Sequence, residues 1–133
     1  MARCQVLMAG LALLLGAGLF GCGSGQTAKA PPPTEKAAGI VLNKNGKPVT
    51  GGGIEFRHDT KPEFVSLSDV GPDGRFTLRT MGGTADAAGA QEGEHTVTYM
   101  PPLNANGETT PVILSKKYTI KAGANDITVT LDQ

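Results

Sequence analysis

A chain of 133 residues with 12 basic and 12 acidic side chains has room for one domain of ordinary size. It has no formal net charge, which argues against nucleic acid or another polyanion as its main partner. With 19 glycines, no tryptophan and a second half rich in threonine, the composition favours short strands and many turns over helices.

The first segment is a targeting sequence rather than part of a fold. Arg3 supplies a short positive region, and residues 6–19 are all apolar or small. The run is shorter than the roughly 20 residues that a membrane-crossing helix needs, which is the pattern of a signal peptide. It ends in Leu19-Phe20-Gly21-Cys22, which resembles a bacterial lipobox: a leucine three residues ahead of the cysteine and a small residue directly before it. The resemblance implies a signal peptide over 1–21, cleavage before Cys22 and acylation of that cysteine with palmitate-type chains. An ordinary secretory signal with an incidental cysteine is the alternative. Against it, the other cysteine, Cys4, lies in the discarded piece, so Cys22 has no disulfide partner in the mature chain. At about 0.8 kcal/mol for each buried methylene, several acyl chains hold a protein stably to a bilayer without crossing it.

Residues 22–36 read as the acylated cysteine and a linker, flexible at first and then stiffened by Pro31-Pro32-Pro33. At about 3 Å per residue it reaches roughly 30 to 40 Å from the lipid surface. The domain is expected over 37–133.

Seven strands are predicted there. The first covers 38–43 and stops at Asn45-Gly46, a tight-turn pair. The second covers 54–58, where Ile54 and Phe56 alternate with Glu55 and Arg57; Gly51-Gly52-Gly53 before it lacks the lysine and hydroxyl of a phosphate loop and reads as a bulge or close backbone approach. The third, 64–70, and the fourth, 75–79, flank Gly71-Pro72-Asp73-Gly74 and are expected to form the central hairpin. Asp69 and Asp73 do not have the spacing of a calcium loop, so turn chemistry accounts for them. Residues 81–92 are expected to be a loop. Strand five, 95–100, is ended by Pro101-Pro102, and a polar loop covers 103–111. Strands at 118–120 and 126–131 complete the set. The fold class is therefore all-β, a seven-stranded antiparallel β-sandwich in the transthyretin or immunoglobulin style. The expected core is Val41, Ile54, Phe56, Leu67, Phe76, Leu78, Val97, Tyr99, Ile127, Val129 and Leu131.

Gly39-Ile40-Val41, Asn45-Gly46-Lys47-Pro48-Val49, Ile54-Glu55-Phe56, Asp73-Gly74-Arg75-Phe76-Thr77-Leu78, Gly93-Glu94-His95-Thr96-Val97 and Gly123-Ala124-Asn125 together resemble the carboxypeptidase regulatory-like, transthyretin-related domain. The chain is similar in particular to short bacterial lipoproteins with one such domain behind a lipobox. The resemblance implies a non-catalytic structural or interaction module, since these turn-and-strand motifs specify fold better than activity.

The chemistry-bearing residues agree. The only histidines are His58 and His95, and no serine sits in a nucleophile elbow. The two histidines with Asp59 or Glu94 have suitable metal-ligand types, but nothing in the spacing joins them. His95, on the parity of Val97 and Tyr99, reads as a partly buried packing residue. No catalytic, metal-binding or cofactor-binding residue is assigned; Cys22 is the one site residue, for lipidation. The expected function is a lipid-anchored module at the cell envelope, facing the periplasm or exterior. Its expected partners are the bilayer and an envelope protein, and no nucleic acid. The alternative is a small-ligand or carbohydrate-binding module using the loops 81–92 and 103–111.

Overall fold

A computed structural model of the chain describes residues 32–82 and 86–132. The signal peptide, Cys22 and most of the expected linker lie outside the described residues. The rest is all-β, with ten strands in two sheets.

The smaller sheet takes β1 (Ala37–Leu42) at its centre, β4 (Arg75–Thr77) on one side and β10 (Asn125–Thr130) on the other. β1 and β4 are antiparallel, whereas β1 and β10 run parallel in a register that pairs Ala37 with Asn125 and Leu42 with Thr130. A parallel pair needs a long connection, and here nearly the whole domain lies between the two strands.

The larger sheet is antiparallel. Its order is β6 (Ala87–Ala88), β5 (Arg79–Met81), β3 (Val65–Asp69), β2 (Gly53–His58), β7 (Gly93–Met100), β8 (Val112–Ile113). β9 (Tyr118–Ile120) pairs with the first residues of β7, on the same side as β8. Alternation along each strand sends one face inward. In β2 these are Ile54, Phe56 and His58; in β7 they are His95, Val97 and Tyr99; in β10 they are Ile127 and Val129. The two sheets share one apolar core. Phe56 of the larger sheet meets Phe76 of the smaller with ring centroids 5.9 Å apart, and Tyr118 sits edge-on to Phe56 at 6.2 Å.

All seven expected strands are present, together with the short β5, β6 and β8. Two expectations of the topology are overturned: the strands are not all antiparallel, because β1 and β10 run parallel, and the stretch from Asp69 to Leu78 is not a hairpin. β3 pairs with β5, and β4 leaves for the other sheet to pair with β1. The turn itself is as expected, with Gly74 N donating to Gly71 O at 2.9 Å and Asp73 Oδ1 accepting from Arg75 N at 3.1 Å. The switch occurs at Leu78. Its N–H donates to Ala37 O of the small sheet at 2.9 Å, while its carbonyl accepts from Gly89 N at 2.8 Å.

The inward parity of β3 is also reversed. Leu67 is only half-buried, and Ser66 faces the core instead. Ser66 Oγ and Thr80 Oγ1 are 2.9 Å apart, and Thr80 Oγ1 donates to Gly89 O at 2.8 Å, so the buried hydroxyls satisfy one another. The other expected core residues are buried.

Candidate functional site

The larger sheet has two dissimilar ends. β2 begins at Gly53, opposite Met100 and Asp69, and finishes at His58, opposite His95. Five residue steps of about 3.4 Å separate these ends, roughly 17 Å.

The turns gather at the Gly53 end. Gly51 N donates to Gly71 O at 3.1 Å, Val70 N to Gly52 O at 2.9 Å, and Tyr99 Oη to Gly51 O at 2.7 Å. The 103–111 loop is at this end and is self-contained. Asn104 Oδ1 accepts from Asn106 N and Glu108 N at 2.9 and 3.0 Å, and Thr109 Oγ1 donates to Pro101 O at 2.7 Å.

At the other end the structure brings together what sequence spacing did not. His58 and His95 are direct cross-strand partners on the inner face, with rings T-shaped at 5.0 Å. Phe56 lies 6.1 Å from His95 and closes the pair from the core side. Both imidazoles are buried, His95 to 1% exposure. The hydrogen bonds fix their tautomers. Thr60 N donates to His58 Nδ1 at 3.1 Å, so the His58 proton is on Nε2, which donates to Glu92 O at 3.0 Å. His95 Nδ1 lies 3.0 Å from Gly93 O, which only accepts, so His95 carries its proton on Nδ1. Burial pushes His95 below the ordinary histidine value; the Gly93 carbonyl pulls the other way and the neighbouring His58 adds to the lowering.

Outside this pair is an exposed polar cluster. Lys117 Nζ lies 2.9 Å from Asp59 Oδ2 and 2.6 Å from Thr96 Oγ1, and Thr96 Oγ1 donates to Asp59 Oδ1 at 2.8 Å. The hydrogen bond from Lys117, and then that from Thr96, hold the Asp59 carboxyl below its usual range.

The segment 89–93 seals the pair and carries the incoming chain. Glu35 and Ala90 exchange backbone hydrogen bonds at 2.8 and 2.9 Å, Thr34 Oγ1 donates to Ala88 O at 2.7 Å, and Glu35 Oε2 accepts from Gly123 N at 2.8 Å. Contacts with the domain thus begin within the expected linker, ahead of Ala37. Gly93 has φ 131°, and any Cβ there would run into His58 Nε2, so both conformation and space require glycine. Gln91 is buried with both side-chain amide atoms unpartnered. Beside it is an open hollow lined by Pro32, Pro33, Lys61, Glu92 and Gly93.

Chemically this is a neutral, enclosed imidazole pair rather than a ready metal cage. Three of its four ring nitrogens are engaged with backbone, and among the described residues no three His, Cys, Asp or Glu side chains converge. Cys22, the expected lipidation residue, lies outside the described residues. The two loops suggested as a joint binding surface sit at opposite ends of β7, about 24 Å apart along it. The first is also less of a loop than expected: it contains β6, and Ala90 and Gln91 are buried. The histidine pairing had one readable signal, since His58 shares the parity of Ile54 and Phe56 as His95 shares that of Val97 and Tyr99. No family model matches the chain, and no curated protein matches it.

Proposed function

We propose that the chain is a lipoprotein acylated at Cys22, whose β-domain serves as a non-catalytic structural or protein-interaction module at the cell envelope. In this reading the two sheets form a sandwich of the transthyretin-related, carboxypeptidase regulatory-like kind, and the bilayer and an envelope protein are its partners. The observation that most supports it is the polarity of the domain. The incoming segment at Thr34 and Glu35 is bonded at the histidine end, while the turns around residues 43–48, 71–74 and 101–111 gather at the other. A tether leaving the first end leaves the second facing away from the membrane, free to meet a partner.

The test is export of the full chain and of Cys22→Ser, followed by membrane fractionation and intact mass of the recovered proteins. The reading requires the wild-type chain in the membrane fraction, starting at Cys22 with the added mass of acyl groups, and the variant released. Membrane association that survives Cys22→Ser would overturn the anchor. Crosslinking of the anchored protein would then identify the partner, and bonds formed through the 101–111 loop are expected.

A further inference from the structure

The buried histidine pair packs against Phe56 of the core and at the same time bonds segments outside it. His58 Nδ1 accepts from Thr60 N, pinning the turn that follows β2, and His58 Nε2 donates to Glu92 O, pinning the segment 89–93. That segment contains the unpartnered buried amide of Gln91; it is held by the Glu35–Ala90 pair and this histidine bond, by Gly89 N to Leu78 O and Thr80 Oγ1 to Gly89 O, both at 2.8 Å, and by His95 Nδ1 to Gly93 O at 3.0 Å.

We propose that His58 and His95 form an acid-operated latch. When neutral, the pair holds the turn after β2 through Thr60 and is sealed by the 89–93 segment; proton uptake by His58 breaks the Thr60 bond, and a charge on either ring favours opening the 89–93 seal to water, which loosens the end at which residues 34–36 join the fold. The geometry gives the reason for each ring. A proton on His58 Nδ1 would face the Thr60 N–H, donor against donor, and that bond is lost. A proton on His95 Nε2 would place a positive charge in the enclosed space between Phe56 and His58, 5.0 Å from the second imidazole. Protonating both would set two like charges at that separation.

The surrounding groups do not cancel this. Asp59 favours the charged His95, but its carboxylate is already committed to Lys117 and Thr96. Lys61 and Glu92 stand at the hollow outside Gly93, and Glu94 is on the exposed face of β7. From β9, Tyr118 pairs with His95, and its Oη accepts from Thr130 N at 3.3 Å.

The test is amide hydrogen exchange on the full chain at pH 7.5 and 5.5, corrected for intrinsic rates. A neutral-only site loses up to about tenfold in its closing equilibrium for each pH unit below about 6.5. Protection at Thr60 and across 89–93 should therefore fall at least fivefold at pH 5.5, with β1 and β10 unchanged. In the double variant His58→Gln/His95→Gln the fall at both places should shrink to less than twofold. Unchanged protection at Thr60 and 89–93 in the wild-type chain, or an equal loss in every strand, would overturn the proposal. Should the double variant not fold, the contrast within the wild-type chain decides alone.

Discussion

The two ends of the larger sheet are held by different physics. At the turn end, hydrogen bonds are made by groups whose charge does not change near neutrality: Asn104 to its own loop, Tyr99 Oη to Gly51 O, Asp73 to Arg75 N. At the histidine end, a buried titratable ring bonds His58 to Glu92, beside the backbone pair of Glu35 and Ala90 and the unpartnered amide of Gln91. The first arrangement is robust to conditions; the second depends on keeping two imidazoles neutral. With the proposed anchor at Cys22, the free end would stay rigid and the attached end would respond to acid.

Glycine substitutions break the comparison most sharply. Gly93→Ala adds a methyl against His58 to a backbone angle that favours glycine, and a loss of about 4 kcal/mol is expected from strain and overpacking together. Gly107→Ala at the turn end, at φ 77° and with open space around it, should cost about 1 kcal/mol, the conformational part alone. Urea denaturation of both variants checks the ratio.

Acid comes next. His95 is lowered in the folded chain, so the folded state binds fewer protons than the unfolded one below the ordinary histidine value of about 6.5. Stability from the neutral ring is fully present above that pH and is lost as pH falls towards the folded value, by up to about 1.4 kcal/mol per unit. Denaturation midpoints between pH 7.5 and 5.5 read this, and the slope should flatten in His95→Gln.

Polar deletions should differ in sign between the ends. Gln91→Leu removes a buried amide that has no partner and is expected to raise stability by about 1 kcal/mol. Tyr99→Phe at the turn end removes a made bond to Gly51 O and should lower it by about 1 kcal/mol. Thermal unfolding of the pair distinguishes the two. The smallest effect belongs to Lys117→Ala: its partner Asp59 is solvent-exposed, and the change in midpoint should vanish at high salt.

Much of the fold was legible because alternation of apolar and polar residues is a local signal. Ile54 and Phe56, Val97 and Tyr99, and Ile127 and Val129 mark their strands and inward faces without reference to anything else. Leu67 misled for the same reason: its size argues for the core, and only the Ser66–Thr80 hydroxyl pair, 14 residues apart, makes the small polar neighbour the inward one. The sheet switch at Leu78 was not readable, since a strand that changes partners midway has the same alternation as one that does not. The histidine site was half legible. Parity turns both rings inward, but their meeting depends on the register of β2 against β7, which no stretch of either strand encodes alone.

The most direct test of the contrast between the ends is an NMR pH titration of the full chain that follows the His95 ring together with the Ala90 and Asn106 amides. His95 is expected to titrate below about 6.5, the Ala90 amide in the sealing segment to lose protection with it, and Asn106 not to respond. A His95 ring that takes up its proton at or above 6.5 while Ala90 stays protected would contradict the contrast.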